Sequence, residues 1–274
     1  MHILVALICI TRPHNIAAAT LSILVGYRMT LAAGFPWWLL AGVVAATAAG
    51  NVINDIQDRD IDRINKPRRP IPSGALSVPA AWSVYGVCVL LSLLIGVRLP
   101  LEQGLWIVSW IILLHLYSAR LKRVYLAGNL LVALISSSGF LLGALAAGRI
   151  STGLIPAVYT FLFVMGRELV KDTEDCGGDR AHGARTVPIV HGERFALRAS
   201  ALIFALLAVT FPLPSLIGLY SLLYGVIMVC SVVPILVLSV YLVLRSSRAT
   251  LVSGLLKLGM FFGILAFYFG PIRG

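Results

Sequence analysis

Long apolar runs dominate the chain, and short polar segments divide them. A helix needs about 20 apolar residues to cross a hydrocarbon core. Nine stretches meet or approach that length: 14–34, 36–53, 80–98, 101–118, 124–148, 150–168, 196–212, 215–244 and 250–271. Gly34-Phe35-Pro36 and Phe211-Pro212-Leu213-Pro214 mark tight turns between neighbours. The eighth stretch is longer than a crossing requires and contains Pro234, which predicts a kink or a tilt. The first ten residues are apolar, with no basic segment ahead of them. They read as an interfacial lead-in to the first span rather than as a cleavable signal. The pattern predicts an all-α, polytopic membrane protein.

Composition excludes the other classes. The 274 residues are 59% hydrophobic and 12% charged, with a mean hydropathy of +0.95. A soluble domain is about 25% charged. Disorder requires far less apolar sequence. A net charge of +11 would suit a nucleic-acid binder, but such a protein would not be this apolar, so no nucleic-acid partner is expected. One domain is expected. The four cysteines are widely spaced, form no CxxC, and point to neither a zinc site nor a disulfide framework.

The charges are unevenly placed. Seventeen of the 22 Lys and Arg residues precede the first span or follow spans two, four, six and eight. Arg28, Arg98, Arg149 and Arg273 lie on the other face, and Lys257 falls inside the ninth span as a snorkelling residue. The positive-inside rule then predicts a multi-pass cell-membrane protein, with the N-terminus inside, the C-terminus outside and the basic face cytoplasmic. That bias needs no function to explain it. The acids do. Nine of the 11 lie in 55–62 and 168–179, and only Glu102 and Glu193 lie elsewhere.

Both acidic segments contain Asp-x-x-Asp-x-x-x-Asp: Asp55, Asp58 and Asp62, then Asp172, Asp175 and Asp179. Positions i, i+3 and i+7 share one face of a helix, so each triplet aims three carboxylates one way. Gly177-Gly178 predicts that the second helix ends or bends inside its motif. Each motif is followed by a basic residue near a proline, Arg69-Pro70 and Arg185-Thr186-Val187-Pro188. The repeated order suggests two related halves, roughly 1–123 and 124–274. Like charges on one helix face at a membrane boundary are unfavourable unless compensated. Hard divalent cations compensate them, and Mg²⁺ is commonly held by a few carboxylates plus substrate phosphate. Two aspartate faces beside Arg and Lys therefore fit a metal-bridged diphosphate.

These residues resemble the UbiA superfamily of intramembrane prenyltransferases. The family's NxxxDxxxD matches Asn54, Asp58 and Asp62, and its DxxxD-type motif matches Asp175 and Asp179. Asn65-Lys66-Pro67-Arg68-Arg69-Pro70-Ile71-Pro72-Ser73-Gly74 and Tyr117-Ser118…Lys122…Gly128-Asn129 resemble further family segments. The resemblance implies nine transmembrane helices around a central cavity and Mg²⁺-dependent transfer of a prenyl chain from its diphosphate. Arg12-Pro13-His14-Asn15 and Arg167-Glu168-Leu169-Val170-Lys171-Asp172 look most like the archaeal branch that makes digeranylgeranylglyceryl phosphate. That implies geranylgeranyl diphosphate as donor and geranylgeranylglyceryl phosphate as acceptor, with release of diphosphate.

On this reading Asn54, Asp58 and Asp62 hold one side of the metal–diphosphate assembly, and Asp175 and Asp179 the other. Asp55 and Asp172 ligate or stand behind the ligands. Lys122 and Arg185, then Arg69 and Lys171, are the candidates for neutralising the leaving group. Asn15 and Tyr117 are candidate substrate contacts, each with a plainer role as an interfacial anchor. His14 shares that choice, Asn129 can serve as a helix–helix polar contact, and His182 and His191 read as solvated loop residues. Other readings are a quinone-type enzyme with an aromatic acceptor such as 4-hydroxybenzoate, a CDP-alcohol phosphotransferase, and an ion transporter. The phosphotransferase pattern DxxDGxxAR is missing, and transporter sites lie near the midplane rather than at one face.

Overall fold

The computed structural model describes residues 3–181, 183–245 and 249–271. Within them every regular element is helical. The helices are α1 Ile3–Thr11, α2 Pro13–Arg28, α3 Trp37–Gln57, α4 Arg59–Asn65, α5 Val78–Gly96, α6 Leu101–Ala119 and α7 Ala127–Ala146. They continue as α8 Leu154–Ala181, α9 Val187–His191, α10 Glu193–Thr210, α11 Leu213–Leu216, α12 Leu222–Ile227, α13 Val233–Arg245 and α14 Ala249–Tyr268. Eight segments among the described residues are long and apolar enough to cross a membrane. The predicted span 101–118 forms the 19-residue helix α6 but is less apolar than the other eight, because Glu102, Gln103 and His115 interrupt it.

Three boundaries differ instructively from the hydropathy pattern. The lead-in is helical, and α1 and α2 together form one 26-residue candidate span broken only at Arg12. The predicted span 150–168 continues as a helix to Ala181, so Gly177 and Gly178 do not end it. Tolerance of glycine in a helix interior is a matter of about 1 kcal/mol, which packing can override. The long stretch 215–244 is broken at Gly218, whose φ of +75° suits glycine. It resumes when Ser221 caps α12 by accepting from the Tyr224 N–H at 3.2 Å. A π turn at Met228–Val232 then precedes Pro234, and the wider turn accommodates a ring with no N–H to give.

The chain forms two compact units. Unit 1 comprises Met1–Thr20, Phe35–Leu131 and Gly177–Ala184. Its central helix is α3, 72% buried along its apolar window, against 11% for α5. Small residues make this possible: a side chain at Gly42 would press on Ile107, and one at Gly50 on Leu114. A second cluster packs Ala6 and Ile10 of α1 on Val52, Ile56, Ile71 and Leu76. Trp37 and Trp38 stand exposed at the start of α3, as interfacial aromatics do.

Unit 2 comprises Leu21–Gly34, Val132–Cys176 and Arg185–Gly274. Its core is Phe204, Leu207, Tyr224, Met228, Leu236, Val252 and Leu256. Here α2 and α7 approach backbone to backbone: a Cβ on Gly143 would overlap the Ile23 carbonyl, and one on Gly26 the Phe140 carbonyl. All four cysteines are free. His182, Arg248 and Arg273 lie outside the described residues.

Candidate active site

In unit 1 the first aspartate motif straddles a joint. Asp58 (φ −90°, ψ 1°) separates α3 from α4, with its N–H on the Asn54 carbonyl at 2.9 Å. The Asp62 N–H donates to the Asp58 carbonyl at 2.7 Å, so the helical path barely deviates. The shared face predicted from spacing survives, because one guanidinium reaches both ends of the motif. Arg69 Nη1 lies 2.5 Å from Asp62 Oδ2 and 3.3 Å from Asp55 Oδ1. Asp55 is also paired with Arg12, and Asp58 with Lys122. Asp60, off that face, is exposed and meets Arg59 and Arg63.

Burial sorts the three carboxylates. The side chains of Asp55 and Asp62 are 3% and 4% exposed, and that of Asp58 is 15%. Burial pushes the Asp62 carboxyl above the usual range, with Arg69 pulling the other way. Burial pushes the Lys122 ammonium down, opposed by Asp58. For Arg69 burial also acts downward, but the charges of Asp55 and Asp62 outweigh it and the guanidinium is held above its ordinary value.

Arg12 occupies the one-residue break between α1 and α2, with φ 51°. A left-handed backbone costs an L-residue roughly 1–2 kcal/mol, and the buried Asp55 partner offsets it. Behind this pair Asn15 Nδ2 donates to Asn51 Oδ1 at 3.0 Å, and Asn51 Nδ2 donates to the Thr11 carbonyl at 2.8 Å. Asn15 is thus an anchor of α2 on α3, one turn from the motif. Tyr117 is half-buried near the end of α6, and Asn129 is buried on α7.

In unit 2, α8 carries Lys171, Asp172 and Asp175, and its last turn brings Asp179 into unit 1. All three aspartates are half-buried. Lys171 Nζ lies 3.0 Å from Glu168 Oε2, and Arg167 Nη1 lies 2.8 Å from Oε1 of the same buried carboxylate. Arg185 is exposed in the link from α8 to α9. A groove of about 900 Å³ in this unit is lined by Thr173, Glu174, Glu193 and Thr250 but by none of these aspartates, so it is not assigned to diphosphate.

The donor chemistry suits Mg²⁺, since Asn54, Asp55, Asp58 and Asp62 offer only hard oxygens. Among the described residues no three acid, histidine or cysteine side chains converge to hold an ion by themselves. Mg²⁺ is usually bound by one or two carboxylates plus phosphate and water, which these residues can provide.

A model of the UbiA prenyltransferase family matches residues 16–265. The chain belongs to that family. It is 38% identical to the digeranylgeranylglyceryl phosphate synthase of Methanothermobacter thermautotrophicus over 266 residues, 95% of this chain and 94% of that protein. Among solved structures, one described as digeranylgeranylglyceryl phosphate synthase in membranes is 28% identical with a TM-score of 0.73, covering 98% of this chain and 99% of its own. A UbiA homologue from Archaeoglobus fulgidus, bound to DMAPP and Mg²⁺, has the same fold at 18% identity, with a TM-score of 0.68 and coverage of 94% and 97%.

Within this UbiA protein, reading the sequence missed three residues. Arg12 reads from sequence as a topology signal and as part of a family-like segment, without a partner, and it pairs with Asp55. Asn51 is a polar residue inside an apolar span, a signal that points to function or to a helix contact. Glu168 was grouped with the second cluster without a role; it is the carboxylate that holds Arg167 and Lys171.

Proposed function

We propose that this UbiA prenyltransferase transfers a geranylgeranyl group from geranylgeranyl diphosphate to geranylgeranylglyceryl phosphate. An ether bond forms to the acceptor hydroxyl, and diphosphate leaves. Mg²⁺ is the cofactor, and both lipids reach the enzyme from the bilayer. The observation that carries this reading is the triple pairing of Asp55, Asp58 and Asp62 with Arg12, Arg69 and Lys122 at the end of one membrane helix. Acids and bases interleaved in this way are what a metal–diphosphate complex requires. The curated relative named above, similar over nearly its whole length, supplies the acceptor class.

Bound Mg²⁺ would supply positive charge to the diphosphate oxygens as the allylic C–O bond breaks. Asn54, Asp58 and Asp62 of the first motif and Asp179 of the second, all in unit 1, would hold it, with Asp55 beside them, and Asp172 and Asp175 are the second motif's further candidates. Asp58 is the entry point because it is the most accessible of its triplet and is held by a single lysine. With that carboxylate on the ion, Lys122 would be free to face a phosphate oxygen. Arg69 stays with Asp62 and Asp55 and fixes their direction. Lys171 and Arg185 would add positive charge from the second motif, and Tyr117 is the candidate substrate contact, whereas Asn15 is engaged with Asn51.

The deciding experiment gives the purified protein geranylgeranyl diphosphate with either geranylgeranylglyceryl phosphate or 4-hydroxybenzoate, with and without Mg²⁺. An ether lipid formed only with Mg²⁺ is expected. A prenylated aromatic without ether product would overturn the acceptor assignment.

A further inference from the structure

Asn65 ends α4, three residues beyond Asp62. Gly178 lies near the end of α8, between Asp175 and Asp179. The Gly178 N–H donates to Asn65 Oδ1 at 3.2 Å, joining positions 113 residues apart. A Cβ on Gly178 would overlap the Asn65 carboxamide as it now lies, so a side chain there would displace Asn65 from the bond. Its neighbour Gly177 faces open space. A glycine inside a helix costs about 1 kcal/mol relative to alanine, so Gly178 calls for a reason that Gly177 does not share. The contact lies within unit 1, which holds Asp58, Asp62 and Asp179.

We propose that Asn65 and Gly178 form a clasp that sets the spacing between the first aspartate motif and the Asp179 end of the second. They are positioning residues and touch no substrate. The inference rests on the metal–diphosphate reading above. The reason is geometric: Mg–O distances are fixed near 2.0–2.1 Å with octahedral demands, and misplacing a reacting group by about 1 Å can cost 100-fold. The carboxylates sit on two helices distant in sequence, and the Asn65–Gly178 bond ties those helices together beside them. The glycine lets them approach, and the carboxamide stops them at one distance.

The test uses the full chain in detergent and measures the Mg²⁺ concentration needed for half-maximal binding of inorganic pyrophosphate, alongside melting temperature. Asn65→Ala and Gly178→Ala should each raise that concentration by roughly 10-fold, and the double variant should be no worse than the worse single one, as expected for coupled sites. Gly177→Ala should leave the Mg²⁺ requirement unchanged. A general structural defect would instead lower melting without moving the Mg²⁺ requirement. The clasp is overturned if Asn65→Ala leaves that requirement unchanged, or if the two single effects multiply. Asn65→Ala only removes atoms, so it remains decisive even if Gly178→Ala fails to fold. Asp58→Ala, measured in parallel, separates the two ideas. If it abolishes Mg²⁺-dependent pyrophosphate binding while the clasp variants bind normally, the clasp alone falls. If it binds normally, the diphosphate reading falls and the clasp with it.

Discussion

Arg69 serves two buried carboxylates at once, which makes it the most consequential cation of the first motif. Removing one partner of a buried pair typically costs about 3–5 kcal/mol, because the other charge is left stranded. Arg69→Met should therefore lower unfolding stability by roughly that amount, and added Mg²⁺ should restore part of it; chemical denaturation with and without the ion tests both. Asp58→Ala removes the most accessible carboxylate of the motif but strands the buried Lys122, so it should abolish turnover and lower the melting temperature while the protein still folds. Near-full activity of the purified variant would contradict the proposed metal role. The aspartates themselves were readable from sequence, because acids are scarce in so apolar a chain and their spacing repeats. Their partners were not. Arg12 and Asp55 are 43 residues apart, and no local pattern announces a pairing at that separation.

At the scale of elements, the helices follow hydropathy closely and their interruptions do not. Gly143 lies where α7 meets α2 with no space for a side chain. Gly143→Val should force the helices apart at a cost of about 1–3 kcal/mol or more, since the collision is with backbone rather than with a side chain able to move. Thermal unfolding in detergent measures it, with the exposed Gly86 as the control position, where the same substitution meets nothing within 4 Å. The length of α8 shows the limit of reading from local propensity. Gly177-Gly178 looks like a terminator, yet the helix runs to Ala181. What fixes Gly178 is the side chain of Asn65, from another part of the chain. Likewise Pro234 signals a disturbance, and its form is a π turn that ends two residues before it, at Val232.

For the whole molecule, the positive-inside pattern makes a prediction of its own. In a cysteine-free background, a single cysteine in the 59–77 segment should react with a membrane-impermeant maleimide only after cells are opened. One at position 98 should react in intact cells. The reverse result would invert the proposed cytoplasmic placement of the aspartates. Chelation should stop turnover, and Mg²⁺ should restore it without a refolding step. That last expectation follows from the cations that meet the aspartates of the first motif. A newly made chain delivers Asp55, Asp58 and Asp62 to the membrane boundary together with Arg12, Arg69 and Lys122. The neutralising charge is encoded in the polypeptide, so insertion and maturation need not wait for a supply of magnesium. Shortage of the ion would idle such an enzyme without sending it to the proteases.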